Sequence, residues 1–320
     1  MIDGHRVVGF IPFGRKRTVA VMVPYLVRAH LEGELDEVML CLNFERTSLT
    51  QPGFFHHQQA EDLAYAHELE AHHPGLFRVV NIPGPDTPEL LGQVPGEWMD
   101  GYRNPKQLNT GRIYWYCQDR NAVYLRFDDD IIWLHRHAIR NLVRAKLSKP
   151  EALAVFPTIW NNAISSWTLQ QRGILDTRMG RVAALAVDRL GWGHAPFAEY
   201  VHQTLLESIE SGDDGDRFVD ENYWHALGWR QQFSVSCFAV SGNEYADVNG
   251  VLTWDEEEHW LTMHRTGEIG KSNFVYGGAH VAHWTFFTQQ SYLNKTDLLY
   301  RYWQASEKVT QALPEQWRWR

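Results

Sequence analysis

The chain has 320 residues, 44% of them hydrophobic, enough for one large domain or two that share a core. A net charge of -9 and a pI near 6.0 argue against broad, non-specific nucleic-acid binding, which depends on neutralising phosphates. Three widely spaced cysteines with no C-x-x-C pair exclude a disulfide framework and fit a reduced, cytoplasmic protein.

In chain order, residues 6–11 (RVVGFI) read as a first strand. Pro12-Phe13-Gly14-Arg15-Lys16-Arg17 follows as a positively charged turn, and residues 18–31 as a helix with Thr18 at its N-cap. The N-terminus lacks a signal-peptide pattern. The apolar stretch 19–27 carries Pro24 and is too short to span a bilayer, so no membrane insertion is expected. A strand at 36–42, a helix at 58–72 and a strand at 77–82 complete a strand–helix–strand–helix–strand run, the pattern of a parallel, doubly wound α/β sheet. A Pro- and Gly-rich loop, 83–105, leads to a helix at 109–119 that packs Tyr114 and Tyr116 or their neighbours on the sheet. Next comes the buried strand Ala122-Val123-Tyr124-Leu125-Arg126-Phe127. Further strands are expected at 154–159, 233–240 and around 281–284, and helices at 196–210, 253–263 and 296–313. The reading is one continuous domain in two halves, 1–150 binding a nucleotide and 151–320 more mixed in structure.

The strand at 122–127 ends in Asp128-Asp129-Asp130, and Ile131-Ile132-Trp133-Leu134 resumes the apolar character. Three adjacent carboxylates repel one another unless water screens them or a cation neutralises them. In an open α/β sheet, ligands sit outside the carboxyl ends of the strands. Asp128 and Asp130 form an Asp-x-Asp pair whose alternate side chains address one side of a strand exit. Hard oxygen ligands suit Mg²⁺ or Mn²⁺, which could bridge the two phosphates of a nucleotide diphosphate. A second constellation is Thr253-Trp254-Asp255-Glu256-Glu257-Glu258. Its [ST]-x-x-E spacing is a capping box, and one of its carboxylates could also act as a general base on an acceptor hydroxyl. The third is His280-Val281-Ala282-His283-Trp284, in which the two histidines face opposite ways on a regular strand, so that one alone reaches a site. His56-His57, His72-His73 and His135-x-His137 show no third ligand at a characteristic spacing and read as surface or helix-face residues. Asp213-Asp214-Gly215-Asp216 lacks the EF-hand pattern and reads as a solvated loop that could act as a lid. No Walker, G-x-G-x-x-G or G-x-S-x-G fingerprint occurs.

Taken together, the N-terminal strand–helix units, the strand running into Asp-Asp-Asp, the acidic helix start DEEEHWLT and the strand HVAHWTFF resemble the GT-A-type glycosyltransferases, the nucleotide-diphosphosugar-dependent class. The resemblance covers most of the chain as architecture and about 30 residues as motifs. It implies a Rossmann-related, mostly parallel sheet with helices on both faces and a mixed acceptor half. It further implies a divalent metal, Mn²⁺ or Mg²⁺, held by Asp128 and Asp130. His283 completes the metal set, with His280 in reserve. Glu256 and Asp255 match the catalytic base best, with Glu257 close behind. Donor contacts fall on Pro12, Phe13, Gly14, Arg15, Lys106, Asn109, Asp128 and Asp129. The third aspartate, Asp129, leaves open which two of the trio hold metal.

The function expected is transfer of a sugar from a nucleotide diphosphate to an acceptor hydroxyl of a glycan, protein, small molecule or modified DNA base. Trp254, Trp260 and Trp284 could stack on an acceptor ring, and Trp317-Arg318-Trp319-Arg320 on nucleic acid. The alternatives are another metal-dependent nucleotidyl- or phosphoryl-transfer enzyme, and a non-catalytic carbohydrate-binding protein with a degenerate site, which the 14 tryptophans would suit.

Overall fold

The computed structural model describes residues 1–42, 60–81, 109–250, 252 and 257–318. These residues build a mixed α/β fold around one nine-stranded sheet in the order β3-β2-β1-β4-β8-β6-β9-β5, with β7 also paired to β9. The strands are β1 (Arg6–Phe13), β2 (Glu37–Leu42), β3 (Phe77–Asn81), β4 (Ala122–Phe127), β5 (Ile131–Leu134), β6 (Ala152–Trp160), β7 (Trp224–Ala226), β8 (Cys237–Ser241) and β9 (Ser272–His283). β3, β2, β1 and β4 pair in parallel, and β8 runs antiparallel between β4 and β6. β9 pairs parallel with β6, while β5 and β7 run against β9. Six of the nine, β1, β2, β3, β4, β6 and β9, therefore point the same way, so the sheet is mostly parallel. Every residue of β4 and β6 is buried, as the continuous apolar runs of central strands require.

The helices are α1 (Lys16–Leu31), α2 (Ala60–His72), α3 (Ala138–Ser148), α4 (Ala163–Gln171), α5 (Ala195–Glu210), α6 (Phe287–Leu293) and α7 (Leu298–Ala312). α1 is buried nearly all round, with Val19, Val21, Met22, Tyr25, Leu26 and Val27 among its buried residues. Among the described residues, no helix is long and apolar enough to cross a membrane. Cys41, Cys117 and Cys237 are free thiols inside the core.

Several expectations change in three dimensions. β1 runs on through Pro12 and Phe13, which are buried strand residues where a turn was expected. The β1–β4 ladder ends at Phe10, so Pro12 lies past the last pair on that side, where its missing N–H breaks nothing. Phe13, with no exposed surface, stacks on Tyr65 of α2 at 6.5 Å. Thr18 is not the N-cap of α1. Arg15 holds that position, the Lys16 amide donates to Asp62 Oδ1 at 2.9 Å, and the Thr18 hydroxyl donates to the Asp129 carbonyl at 2.6 Å. Residues 109–116 form a 3-10 helix whose Tyr114 packs edge-on against Phe10 of the sheet at 5.4 Å.

Two of the histidines read as surface residues are interior. His73 lies between Phe77 and Trp317, stacked on the latter at 5.4 Å, and burial pushes its pKa down to about 4. His135 is buried at the end of β5 and pairs with Asp216 at 2.8 Å. That contact also corrects the reading of 213–216 as a free loop. The Ser208 hydroxyl donates to Asp213 and accepts from the Gly215 amide at 3.1 Å, and the loop is tied to the far end of β5 from Asp130. A four-residue strand puts about 13 Å between those ends. Four of the eleven described tryptophans, Trp133, Trp160, Trp260 and Trp284, are buried, so Trp260 and Trp284 have no face to offer an acceptor, and Trp254 lies outside the described residues. Trp317 is engaged with His73, Arg318 donates to the Leu313 carbonyl at 2.8 Å, and Trp319 and Arg320 lie outside the described residues.

His202 on α5 locks three segments together. Its Nε2 donates to the Trp284 carbonyl at 3.0 Å and its Nδ1 lies 3.1 Å from the Tyr302 hydroxyl, which donates to the neutral ring. Burial holds its pKa down to about 4. The unfolded chain therefore binds a proton that the native state refuses between pH 6.5 and about 4. Stability from this group is complete above pH 6.5 and is lost as pH falls, by roughly 3 kcal/mol. Melting temperature measured from pH 7 to 4.5 should fall less steeply in His202→Asn than in the parent; parallel slopes would contradict this.

Candidate metal centre

Asp128, Asp129 and Asp130 form the tight turn between β4 and β5. Backbone bonds clamp it from three sides. The Asp128 amide donates to Ser236 O at 2.7 Å, the Ile131 amide to Asp128 O at 3.1 Å, and the Trp284 amide to Asp130 O at 2.8 Å. Ile131 is paired in register with His283 at the end of β9, which carries that imidazole to the aspartates. Ligand atoms of Asp128, Asp130 and His283 all lie within 4.8 Å of one another. Asp129 turns away to Arg15, whose Nε donates to its Oδ1 at 2.8 Å. Gly14 permits this approach, since a Cβ there would stand 3.2 Å from Asp129 Oδ2. The geometry thus groups the outer two aspartates with the histidine.

The electrostatics are those of a buried site. Asp130 has 4% of its side chain exposed and His283 5%, while Asp128 has 27%. Burial alone would raise Asp130, but Arg15, 3.0 Å from its Oδ2, and His283, 3.3 Å from its Oδ1, outweigh it and hold the carboxyl well below the usual range. For His283, burial favours the neutral ring, yet Asp130 more than offsets this and raises its pKa. Asp130 Oδ1 is buried with the His283 ring, 3.3 Å away, as its ion-pair partner and no well-aligned hydrogen bond besides. His283 Nδ1 lies 3.4 Å from the Asn161 carbonyl, which directs Nε2 at Asp130. Two carboxylates and an imidazole oriented through its other nitrogen fit a divalent cation.

His280, the reserve ligand, is excluded by its partners. Its Nδ1 accepts from Trp160 Nε1 at 3.1 Å and its Nε2 donates to the Gly277 carbonyl at 3.0 Å. Burial drops its pKa to about 3.

Behind the turn lies a network that the sequence reading overlooked. Arg126 points back from β4 with 5% of its side chain exposed. It holds Asp128 Oδ1 at 2.6 Å and Glu257 through Nε at 2.6 Å and Nη2 at 3.0 Å. Tyr114 donates its hydroxyl to Glu257. Burial, opposed by Arg126, leaves the Glu257 pKa raised. Glu257 is therefore placed as the counter-ion of Arg126 and not as an open base. Asp255 and Glu256, like Lys106, lie outside the described residues, and Asn109 opens the 3-10 helix. With all ionised, Asp128, Asp129, Asp130 and Glu257 carry four negative charges against two on Arg15 and Arg126. A protonated His283, whose pKa Asp130 raises, offsets one of the two charges left over.

Asn161 was also missed. Buried, with φ of 62°, it donates to the Trp284 carbonyl and to Gln289 Oε1, both at 3.0 Å, while its own carbonyl faces His283. Its signal is the pair Asn161-Asn162 after an apolar strand, since Asn tolerates the left-handed region better than other non-glycine residues. For Arg126 the signal is one charge inside an otherwise apolar strand.

No protein-family model and no curated protein matches the chain. Among solved structures it is similar to 4-diphosphocytidyl-2C-methyl-D-erythritolsynthase from Anaerococcus prevotii DSM 20548. That match has 15% identity and a TM-score of 0.30 over 48% of this chain and 56% of that one. The chain therefore spans about half the length of the protein it matches.

Proposed function

We propose that the chain is a metal-dependent glycosyltransferase of GT-A type, moving a sugar from a nucleotide diphosphate to an acceptor hydroxyl. The observation that carries this reading is the convergence of Asp128, Asp130 and His283 at the exit of β4, beside the Gly14-Arg15 turn that follows β1. A nucleotide diphosphate is the ligand whose charge needs both elements. Mn²⁺ or Mg²⁺ held by the two aspartates and the histidine supplies charge neutralisation for the departing diphosphate. Arg15, fixed by Asp129 and Asp130, adds a permanent positive charge on the same side, with Lys106 and Asn109 as further donor contacts. The acceptor oxygen bonds to the anomeric carbon as the bond from that carbon to the diphosphate oxygen breaks. The leaving group keeps the electron pair. The hydroxyl proton passes to a carboxylate, for which Asp255 and Glu256 are the candidates, while Glu257 positions Arg126. Residues 1–150 form the donor half and 151–320 the acceptor half.

The test is to incubate the protein with Mn²⁺ and a panel of UDP-, GDP-, dTDP- and ADP-sugars, with nucleoside triphosphates in parallel. At least one sugar nucleotide should release nucleoside diphosphate, and EDTA should stop it. Pyrophosphate release from a triphosphate, with every sugar nucleotide inert, would mark nucleotidyl transfer and overturn the proposal. Mn²⁺ at a hundred times its dissociation constant should also stabilise the fold by about 2.7 kcal/mol, seen as a raised melting temperature.

A further inference from the structure

Away from the centre at Asp130, ligand atoms of Glu32, Glu34 and His137 also lie within 4.8 Å of one another. The sequence hides this group, because its carboxylates and its imidazole stand far apart in the chain. Glu32 is the C-cap of α1. Gly33, with φ of 75°, then turns the chain, and the Glu34 amide donates back to the Ala29 carbonyl at 2.8 Å. His137 follows β5 at the N-cap of α3. Its amide donates to His135 Nδ1 at 3.4 Å and its carbonyl accepts from the Asn141 amide at 2.9 Å, so its main chain is anchored. The group therefore sits beyond the end of β5 that is far from Asp130.

Each carboxylate gives one oxygen to an arginine and keeps the other. Arg136 Nη2 meets Glu32 Oε1 at 2.9 Å, and Arg140 Nη2 meets Glu34 Oε1 at 2.7 Å. Glu32 Oε2, Glu34 Oε2 and His137 Nδ1 are enclosed and have no hydrogen-bond partner. His137 Nδ1 is 3.7 Å from Glu34 Oε1, beyond hydrogen-bond reach. Three enclosed acceptors with no donor are costly unless a positive group joins them. The arginines do not remove that cost. They are 59% and 36% exposed and screened by water, whereas Glu34 is 2% exposed, and burial, only partly offset by Arg140, raises its pKa. Glu32 and Arg136 also line a cavity of about 430 Å³, which gives an ion a way in and room for water ligands.

We propose that Glu32, Glu34 and His137 form a second cation site and that it takes Zn²⁺. Carboxylate oxygens and imidazole nitrogens are zinc ligands, and three of them leave a fourth tetrahedral position for water from the cavity. The imidazole favours Zn²⁺ over the hard cations that suit all-oxygen sites. Bound there, the ion ties the end of α1 to the start of α3 and acts on stability. The site is independent of glycosyl transfer and of the centre at Asp130.

The test is calorimetry with Zn²⁺ on the full chain carrying Asp130→Asn, which disables the first centre, and on the same chain with His137→Ala added. His137 is 42% exposed, so its truncation leaves the core intact. The Asp130→Asn chain should take one Zn²⁺ and melt at a higher temperature with it. Adding His137→Ala should weaken that binding at least about tenfold and abolish the rise in melting temperature. If Asp130→Asn does not fold, the parent and His137→Ala are compared instead, and the stoichiometry should drop by one. No Zn²⁺ bound when Asp130 is replaced, or a loss smaller than tenfold on removing His137, overturns the site; the second result would mark zinc held adventitiously by other histidines. Either result leaves the glycosyl-transfer reading untouched, since donor cleavage is measured separately.

Discussion

Asp130→Asn is expected to lower metal-dependent turnover by at least 10²–10³-fold while the protein stays folded. The substitution keeps the shape of the side chain and removes its charge. Asp130 is the shared element of the site: one oxygen meets Arg15 at 3.0 Å and the other, without a hydrogen-bond partner, meets His283 at 3.3 Å. An amide at that position is a poor ligand for a hard cation, and its NH₂ would oppose either Arg15 or His283. Mn²⁺ titration followed by calorimetry should show the binding heat lost or shifted more than tenfold weaker. Asp129→Asn is the internal control. Its side chain is committed to Arg15 and lies outside the ligand triangle, so metal affinity should fall much less. Equal losses in the two variants would show that the trio acts as a diffuse acidic patch and would remove the basis for a defined centre.

Arg126→Met should destabilise the fold strongly. The guanidinium is bonded to Asp128 and Glu257, and Glu257 is as buried as Arg126 itself. Among the described residues, removing the cation leaves Glu257 with only the Tyr114 hydroxyl as a partner. A buried carboxylate stripped of its counter-ion costs about 3–5 kcal/mol, whereas replacing both partners by apolar groups is often neutral. Arg126→Met with Glu257→Leu should therefore recover most of the loss in urea denaturation. Metal affinity should not recover in the double variant, because Asp128 still lacks the group that orients it, a contribution worth about 10–100-fold at metal sites. Recovery of both properties would mean that Arg126 is a structural residue with no hold on the ligand.

How the centre was legible follows from where its parts lie in the chain. The Asp128–Asp130 run stands out because it interrupts two apolar stretches, and His283 because it ends an apolar strand beside Trp284. Both are contiguous patterns with a physical meaning of their own. The exclusion of His280 was half visible: its odd spacing from His283 predicts opposite faces, but its capture by Trp160 Nε1 and the Gly277 carbonyl depends on the pairing of β6 with β9. Phe13 was misplaced because Pro12-Phe13-Gly14 resembles a turn, and only the pairing of Pro12 with Cys41 and of Phe13 with Leu42 on β2 shows that the strand continues. Thr18 looked like a cap because Ser, Thr, Asp and Asn cap helices, yet Arg15 holds that position while the Thr18 hydroxyl serves the Asp129 carbonyl. Glu257 looked like a free carboxylate at a helix start, and the folded chain sets it against Arg126.

By itself the sequence determined the strand–helix alternation of the first half, the burial of 122–127, the acidic turn after it and the absence of a disulfide framework. Each depends on periodicity, residue type or charge repulsion among neighbours in the chain. Only the tertiary structure decided which aspartates come together, which histidine joins them, and that Arg15, Arg126 and Asn161 hold them there. Those contacts link positions more than 100 residues apart, and strand order and register, set by burial of whole faces, are what bring them within bonding distance.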